Sequence, residues 1–285
     1  MKYGELYQIG KELLTQAGIE EAALDARLLL EAVCGTNRND LLVHADREVD
    51  AKQEKTYRDW TCRRAQHIPL QHITGVQEFM GLEFAVNEHV LIPRQDTEIL
   101  VEEVLRDLHD GSRILDMCTG SGCILISLLN YSNDCQGVGV DISPEALSVA
   151  GENAVKLLSG KQDDTRITFI ESDLFDKVEG SFDILVSNPP YIRSDVIPTL
   201  MEEVRLHEPI LALDGTEDGL YFYREIIRQG KEHLTGGGKL FFEIGYDQGE
   251  AVKELMEAAD FLDVEIVKDF AGLDRVVYGR YEVKS

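Results

Sequence analysis

The feature that most constrains this chain begins near residue 111, where short apolar runs start to alternate with amphipathic helical stretches. Arg113-Ile114-Leu115-Asp116-Met117-Cys118 reads as a buried strand that runs into Gly120-Ser121-Gly122 and a helix over 124–129. A second strand spans 137–141. The helix after it opens on Ser143 as N-cap with Pro144 in the first helical position,. Further strands are expected over 167–170, 182–186 and 239–244, with helices over 219–233 and 249–259. Two closing strands, 264–270 and 276–281, have no long helix between them and are expected to pair as an antiparallel edge hairpin. Strands that alternate with helices bury a sheet between two helical layers. The expected fold is therefore α/β: a doubly wound, mostly parallel seven-stranded, Rossmann-like sheet.

The first 75 residues follow another period. Tyr3, Leu6, Ile9, Gly10, Leu13 and Leu14 fall on one helical face, a second helix is expected from Asp25 to near Cys34, and a third over 50–66,. This third helix carries Lys52, Lys55, Arg58, Arg63 and Arg64, the one basic cluster evident in the sequence and a surface that could meet an acidic partner,. Short apolar runs at 78–80 and 84–86 around Gly81 suggest a hairpin,. The division expected is a helical recognition domain over 1–75, a β-hairpin linker over 76–93 and a catalytic domain over 94–285.

Several polar residues fall at the carboxyl ends of the expected strands. The segment Cys118, Thr119, Gly120, Ser121, Gly122 forms a turn that lets backbone approach a ligand closely,. Asp141 closes the next strand, 19 positions after Gly122, and can accept from both hydroxyls of a ribose. Asp173 and Leu174, after the third strand, offer an acceptor for an adenine amine and an apolar wall. Glycine turns alone are weak evidence, and both a dinucleotide and an adenosyl cofactor fit this pair. Leu125 stands where a dinucleotide fingerprint wants its third glycine, and the acidity of the region suits the sulfonium of S-adenosylmethionine better than a pyrophosphate,. The expected cofactor is S-adenosylmethionine, leaving as S-adenosylhomocysteine, and no metal.

Asn188-Pro189-Pro190-Tyr191 directly follows the fourth strand. Two prolines fix φ and remove two backbone donors, which leaves a rigid loop rich in acceptors. The Asn188 side-chain oxygen and the Pro189 carbonyl can each accept one N–H of a planar NH2 group. Pro190 stiffens the loop, and Tyr191 is placed to stack on that group. Asn188 and Pro189 are thus the expected catalytic residues, all four the expected substrate contacts, and Asn188 also a neighbour of the cofactor.

In this order the motifs resemble the class I methyltransferases that modify planar nitrogens, and more narrowly the release-factor glutamine methyltransferases of the HemK/PrmC type. The likeness extends over nearly the full length. It includes Asp25-Ala26-Arg27-Leu28-Leu29-Leu30, the stretches at 69–75 and 90–98, Glu243-Ile244-Gly245-Tyr246-Asp247-Gln248-Gly249, and the run from Asp269 to Val277. Two departures are Met117-Cys118 where the family has Leu-Gly, and Gln95 where it has Pro. The resemblance implies methylation of the side-chain amide nitrogen of the glutamine in the Gly-Gly-Gln motif of peptide-chain release factors.

Charge bears on the rivals. The net charge is −25, from 28 basic and 53 acidic residues. Residues 1–75 hold 10 basic and 12 acidic side chains, and the remainder 18 and 41, hence −23 for the expected catalytic part. Such a field repels phosphates, so nucleic acid is not an expected partner, and an adenine N6 methyltransferase is disfavoured. A ribosomal-protein glutamine methyltransferase remains as an alternative, because it shares the Asn-Pro-Pro-Tyr loop. A dehydrogenase lacks its third glycine, and a catalytically silent binding module would not need Asp141 and Asn188 together. Five cysteines without a CxxC pair and seven scattered histidines show neither a disulfide framework nor metal spacing,. With no signal-like leader and no bilayer-length apolar run, the chain is expected to be a cytoplasmic monomer,.

Overall fold

The computed structural model describes residues 1–159 and 165–282. The chain divides into two compact units, Met1–Val76 with Met201–His207, and Gln77–Leu200 with Glu208–Ser285. Among the described residues no helix is long and apolar enough to cross a membrane.

The helical unit contains α1 (Tyr3–Gln16), α2 (Ala22–Cys34), α3 (Arg38–Val43), α4 (Ala51–Arg64) and α5 (Leu70–Thr74). It also contains α9 (Glu202–His207), from much later in the chain. Tyr3, Leu6, Gly10 and Leu14 form the buried stripe of α1, whereas Ile9, expected on the same face, is 38% exposed and Leu13 half-buried. An added Cβ at Gly10 would stand 1.9 Å from the Tyr57 hydroxyl, so only glycine lets Tyr57 reach in and donate to the Ala26 carbonyl at 3.1 Å. Asp50 caps α4 by accepting from the Lys52 and Gln53 amides,.

Helix α2 starts three residues before Asp25, which is a buried first-turn residue and not the cap. Its carboxylate accepts from Arg64 Nε at 2.6 Å, and Arg64 Nη2 reaches Glu203 of α9 at 3.0 Å. Arg64 is therefore internal and does not belong to the exposed basic cluster, and Arg58 pairs with Glu54. Helices α3 and α5 were not expected, being too short to show a period.

The larger unit opens on the hairpin β1 (Val76–Phe79) and β2 (Leu82–Ala85). Its two-residue turn, Met80-Gly81, has both φ angles positive, the backbone that matches strand twist in tight hairpins,. Then come α6 (Thr97–Asp107), β3 (Arg113–Met117), α7 (Cys123–Asn130), β4 (Gln136–Asp141), α8 (Pro144–Ala154), β5 (Ile167–Glu171) and β6 (Phe182–Ser187). After α9 the chain continues through α10 (Tyr221–Gly230), β7 (Leu234–Glu243), α11 (Gly249–Ala258), β8 (Phe261–Lys268) and β9 (Asp274–Tyr281).

The seven strands lie in the order β5-β4-β3-β6-β7-β9-β8, parallel from β5 to β7. Strands β8 and β9 pair antiparallel as expected, but only β8 is an edge: β9 slots between β7 and β8, antiparallel to both. Two buried clusters cover the two faces of the sheet. One contains Phe79, Leu100, Leu125 and Phe241, the other Leu115, Leu185, Tyr223 and Phe242. Burying such side chains contributes about 1.5–3 kcal/mol each. From β3 the chain winds outward through β4 to β5, then returns to the other side of β3 with β6. Open sheets bind ligands at such a reversal, outside the carboxyl ends of the strands.

Candidate active site

The carboxyl ends of β3, β4, β5 and β6 are stitched together by side chains and turn amides. Ser187, fully buried at the end of β6, donates from Oγ to the Met117 carbonyl at 2.6 Å. Thr119 donates from Oγ1 to Asp116 Oδ2 at 2.6 Å and from its amide to the Val140 carbonyl at 2.9 Å. The Ser172 amide donates to the Asp141 carbonyl. Asn153 of α8, which the motif reading overlooked, accepts from the Ala85 amide and donates to the carbonyls of Ala85 and Ser121. It thus ties the hairpin to the glycine turn.

Within that turn Cys118 has φ +63°, a left-handed conformation that costs any residue with a Cβ,. A glycine, which the family likeness leads one to expect here, would carry no such cost. Burial, with the charges of Asp141 and Asp116, pushes the Cys118 thiol far above its ordinary value, so it is not an activated nucleophile,. Gly122 has φ +77°, and a Cβ there would meet Ile126 at 2.9 Å and Ala150 at 3.2 Å. Its task is to start α7 against α8.

A cavity of about 500 Å³ opens at these strand ends. It is lined by Cys118, Thr119, Gly120, Ser121, Asp141, Asp173, Leu174, Asn188 and Pro190. The structure thus brings together the turn, the two acids and the proline loop. Gly122, Pro189 and Tyr191 do not line it. Gly122 is turned into the helix packing, Pro189 is buried, and the Tyr191 ring packs on the core cluster of Tyr223 and Phe242. The stacking role expected for Tyr191 therefore has no support in this geometry. Glu88, His89, Val90, Leu91, Pro93, Arg94 and Thr97 also line the cavity, as do Tyr221 and Phe222. Val90, Leu91, Pro93, Arg94 and Thr97 lie in the 90–98 stretch that carries the family likeness, Glu88 and His89 just before it, and no local signal marks Tyr221 or Phe222.

The Asp141 carboxylate accepts from the Gly120 amide at 2.9 Å and the Ser143 amide at 3.0 Å. Burial raises its pKa, and the backbone donors of Ser143, Gly120 and Ile142 counter that shift. Two amides leave carboxylate lone pairs free for a ligand, since two oxygens offer about four acceptor sites. Behind it, burial pushes Asp116 up to about 7 against the opposing hydrogen bonds of Thr119 and Leu125. Lining residues include the acids Glu88, Asp141, Glu145 and Asp173 against the single base Arg94. That base is itself occupied by Glu208, which accepts from Arg94 Nη2 at 2.7 and 2.9 Å. A cationic ligand fits this lining and a pyrophosphate does not. The volume suits a nucleoside-sized molecule.

Asn188 directly follows β6, beside the end of β3, and lines the cavity. Its Nδ2 donates to Thr97 Oγ1 at 3.4 Å. The loop beyond it is pinned by Gln248, whose Nε2 donates to the carbonyls of Tyr191 and Gly219 while its Oε1 accepts from the Gly245 amide.

A doubly wound sheet of this order, with its ligand cavity at the β3/β6 reversal, is the architecture of the class I methyltransferases. A methyltransferase from Pyrococcus furiosus has a similar fold: TM-score 0.51 at 16% identity, covering 72% of this chain and 91% of that one. Family models match at residues 5–75, the PrmC N-terminal domain, and at 94–204, the methyltransferase small domain. A release factor glutamine methyltransferase from Caulobacter vibrioides is 43% identical over 272 residues, 94% of this chain and 93% of its own. One from Clostridium acetobutylicum is 43% identical over 258 residues, 89% of each. The chain belongs to the release factor glutamine methyltransferase family.

Proposed function

We propose that this protein methylates the side-chain amide nitrogen of a glutamine in a peptide-chain release factor, the Gly-Gly-Gln glutamine, with S-adenosylmethionine as donor, in the cytoplasm. The observation that carries this reading is that Asn188 and Asp141 line one acid-rich cavity at the reversal of the sheet. Asp141 would hold the ribose hydroxyls. Asp173 and Leu174 would take the adenine, and the turn from Cys118 to Ser121 would pass along the methionine part.

S-adenosylmethionine supplies an electrophilic methyl group. The chain's own residues supply alignment. Asn188 Oδ1 accepts one N–H bond of the substrate amide and the Pro189 carbonyl, set back from the cavity lining, is the proposed acceptor of the other. Together they fix its plane and stabilise the positive charge that grows on nitrogen as its lone pair is committed. Positioning of this kind can lower a barrier by several kcal/mol, out of the ~7–11 available in favourable cases. The helical unit is the proposed recognition element for the protein substrate.

The test is competitive labelling. The protein is incubated with methyl-labelled S-adenosylmethionine, a release factor, ribosomal proteins and duplex DNA together. Label confined to the release factor, and mapped to one glutamine, is the expected result. Label on ribosomal protein or DNA alone overturns the assignment.

A further inference from the structure

Several segments that carry the family likeness have no part in the chemistry above: Asp96-Thr97, Glu243 and Arg275. The structure brings them to one place, directly behind Asn188. Glu243 ends β7, beside the end of β6, and is 1% exposed. Thr97 and Asn188 stand close enough to its carboxyl group to lower its pKa, while its Oε2 is buried without a hydrogen-bond partner. A buried carboxylate without a full set of partners is costly.

Consider the amide of Asn188. Its two ends are almost the same size and opposite in hydrogen-bonding sense. If the NH2 end faced the cavity, it would meet the N–H bonds of an incoming amide with further N–H bonds. Only the end that faces the core decides between the two orientations. There Asn188 finds the Thr97 hydroxyl at 3.4 Å and the Glu243 carboxyl, and a carboxylate is an acceptor only,. We propose that Glu243, with Thr97, is a positioning residue that takes the Nδ2 end of Asn188 into the core and so holds Oδ1 toward the substrate. The inference rests on the reading of Asn188 given above and deepens it.

The surroundings make Glu243 the titrating member of its cluster. Burial raises it to about 7, opposed by Thr97, by the charge of Arg275 and by Asn188, with Asp96 adding to the rise. Arg275 is shared by Asp96 and Asp269, each at 3.2 Å, and stays charged. Tyr191 and Tyr223 are pushed well up and stay neutral, and burial pushes Cys123 up to about 12. A neutral Glu243 carries an O–H that favours the reversed amide, so orientation should loosen as pH falls through this range.

The experiment compares the full-length protein with Glu243→Gln, a near-isosteric change that abolishes the charge and adds a donor. Single-turnover rates on a release factor are followed from pH 6 to 9. The wild-type rate is expected to rise through an apparent pKa near 7. The variant should be lower by roughly 10–100-fold at pH 8, less than the ~10²–10³ expected for losing a group that touches the substrate itself. The KM for release factor and the cofactor affinity should stay within about twofold, and the acid limb tied to Glu243 should be lost. Asp116 also sits near 7 on the cofactor side, so the change between the two profiles, not the wild-type limb alone, is the readout. A variant within about threefold of wild type at pH 8 overturns the proposal.

A second measurement needs no substrate. The Asn188 side-chain NH2 resonances, identified by their loss in Asn188→Ala, should titrate near pH 7 in the wild type and not in Glu243→Gln. Resonances that do not move in the wild type overturn the positioning role. If the wild type labels no release factor but these resonances titrate, the functional reading falls and the positioning of Asn188 stands.

Discussion

The glycine turn and the Asn188 loop leave the adjacent ends of β3 and β6 to line one cavity, and they are held in opposite ways. The turn is a backbone object. Its shape comes from left-handed residues at Cys118 and Gly122 and from amides that meet Asp141 and the Val140 carbonyl. The loop is rigid in its prolines, yet the orientation of its one functional amide is set by side chains far away in sequence: Thr97 on α6 and Glu243 on β7. The turn can therefore absorb a side-chain change with a modest cost in stability or affinity. The loop should respond in rate.

The largest effect is expected at the loop itself. Asn188→Ala removes one of two acceptors while the proline frame remains, and kcat should fall by roughly 10²–10³ with little change in KM. Asn188→Asp keeps an oxygen and should retain more activity. A kcat near wild type in the alanine variant would reduce the motif to a structural turn.

Next comes stability. The folded pKa of Glu243 is raised above its ordinary value. Its favourable contribution is thus complete below about pH 4 and is lost as pH rises through about 7, where the buried group ionises. Glu243→Gln should therefore be more stable than wild type at pH 8, by up to about 3 kcal/mol, with the two converging near pH 4. Denaturant unfolding at the two pH values measures this. A variant less stable at pH 8 would mean that the carboxylate supports the fold.

On the turn side, Asp141→Ala should weaken S-adenosylmethionine binding by ~1.5–3 kcal/mol, the range for charge-assisted hydrogen bonds. Calorimetry that finds unchanged affinity in a folded variant removes the ribose assignment. The smallest effect belongs to Cys118→Gly. Relief of the left-handed strain, less the entropy that glycine loses on folding, should stabilise the protein by about 0.5–1 kcal/mol. A loss of stability on thermal unfolding would show that the Cys118 side chain contributes more by packing than it costs in strain.

These differences also explain what could be read from the residues alone. Local signals were legible. The strand–glycine turn–helix at 113–130, the Ser143 cap, the acids at strand ends and the proline loop each write their geometry into a few adjacent positions. Strand order at the far edge was less so, because nothing local says that β9 should enter beside β7 and leave β8 outside. Short helices such as α3 and α5 lack enough turns to show a period. Least legible was Glu243. A glutamate at the end of an apolar strand looks like an ordinary polar terminus until β6 and β7 pair and bring it to Asn188. Tyr191 shows the reverse case, since its place in the motif suggests the ligand and the fold gives it to the core.

The partnership of Arg64 with Glu203 has a consequence for how the chain is made. The two residues are separated by 139 positions. At ~5–20 residues per second, a ribosome needs roughly 7–28 s to travel between them. During that interval the rest of the first 76 residues is made, and Arg64 has Asp25 as its only acid among the partners it holds in the finished protein. Most of the helical unit is thus made ahead of the sheet unit but completed only after much of that unit, and a nascent chain halted before Glu203 holds it with one piece still to come.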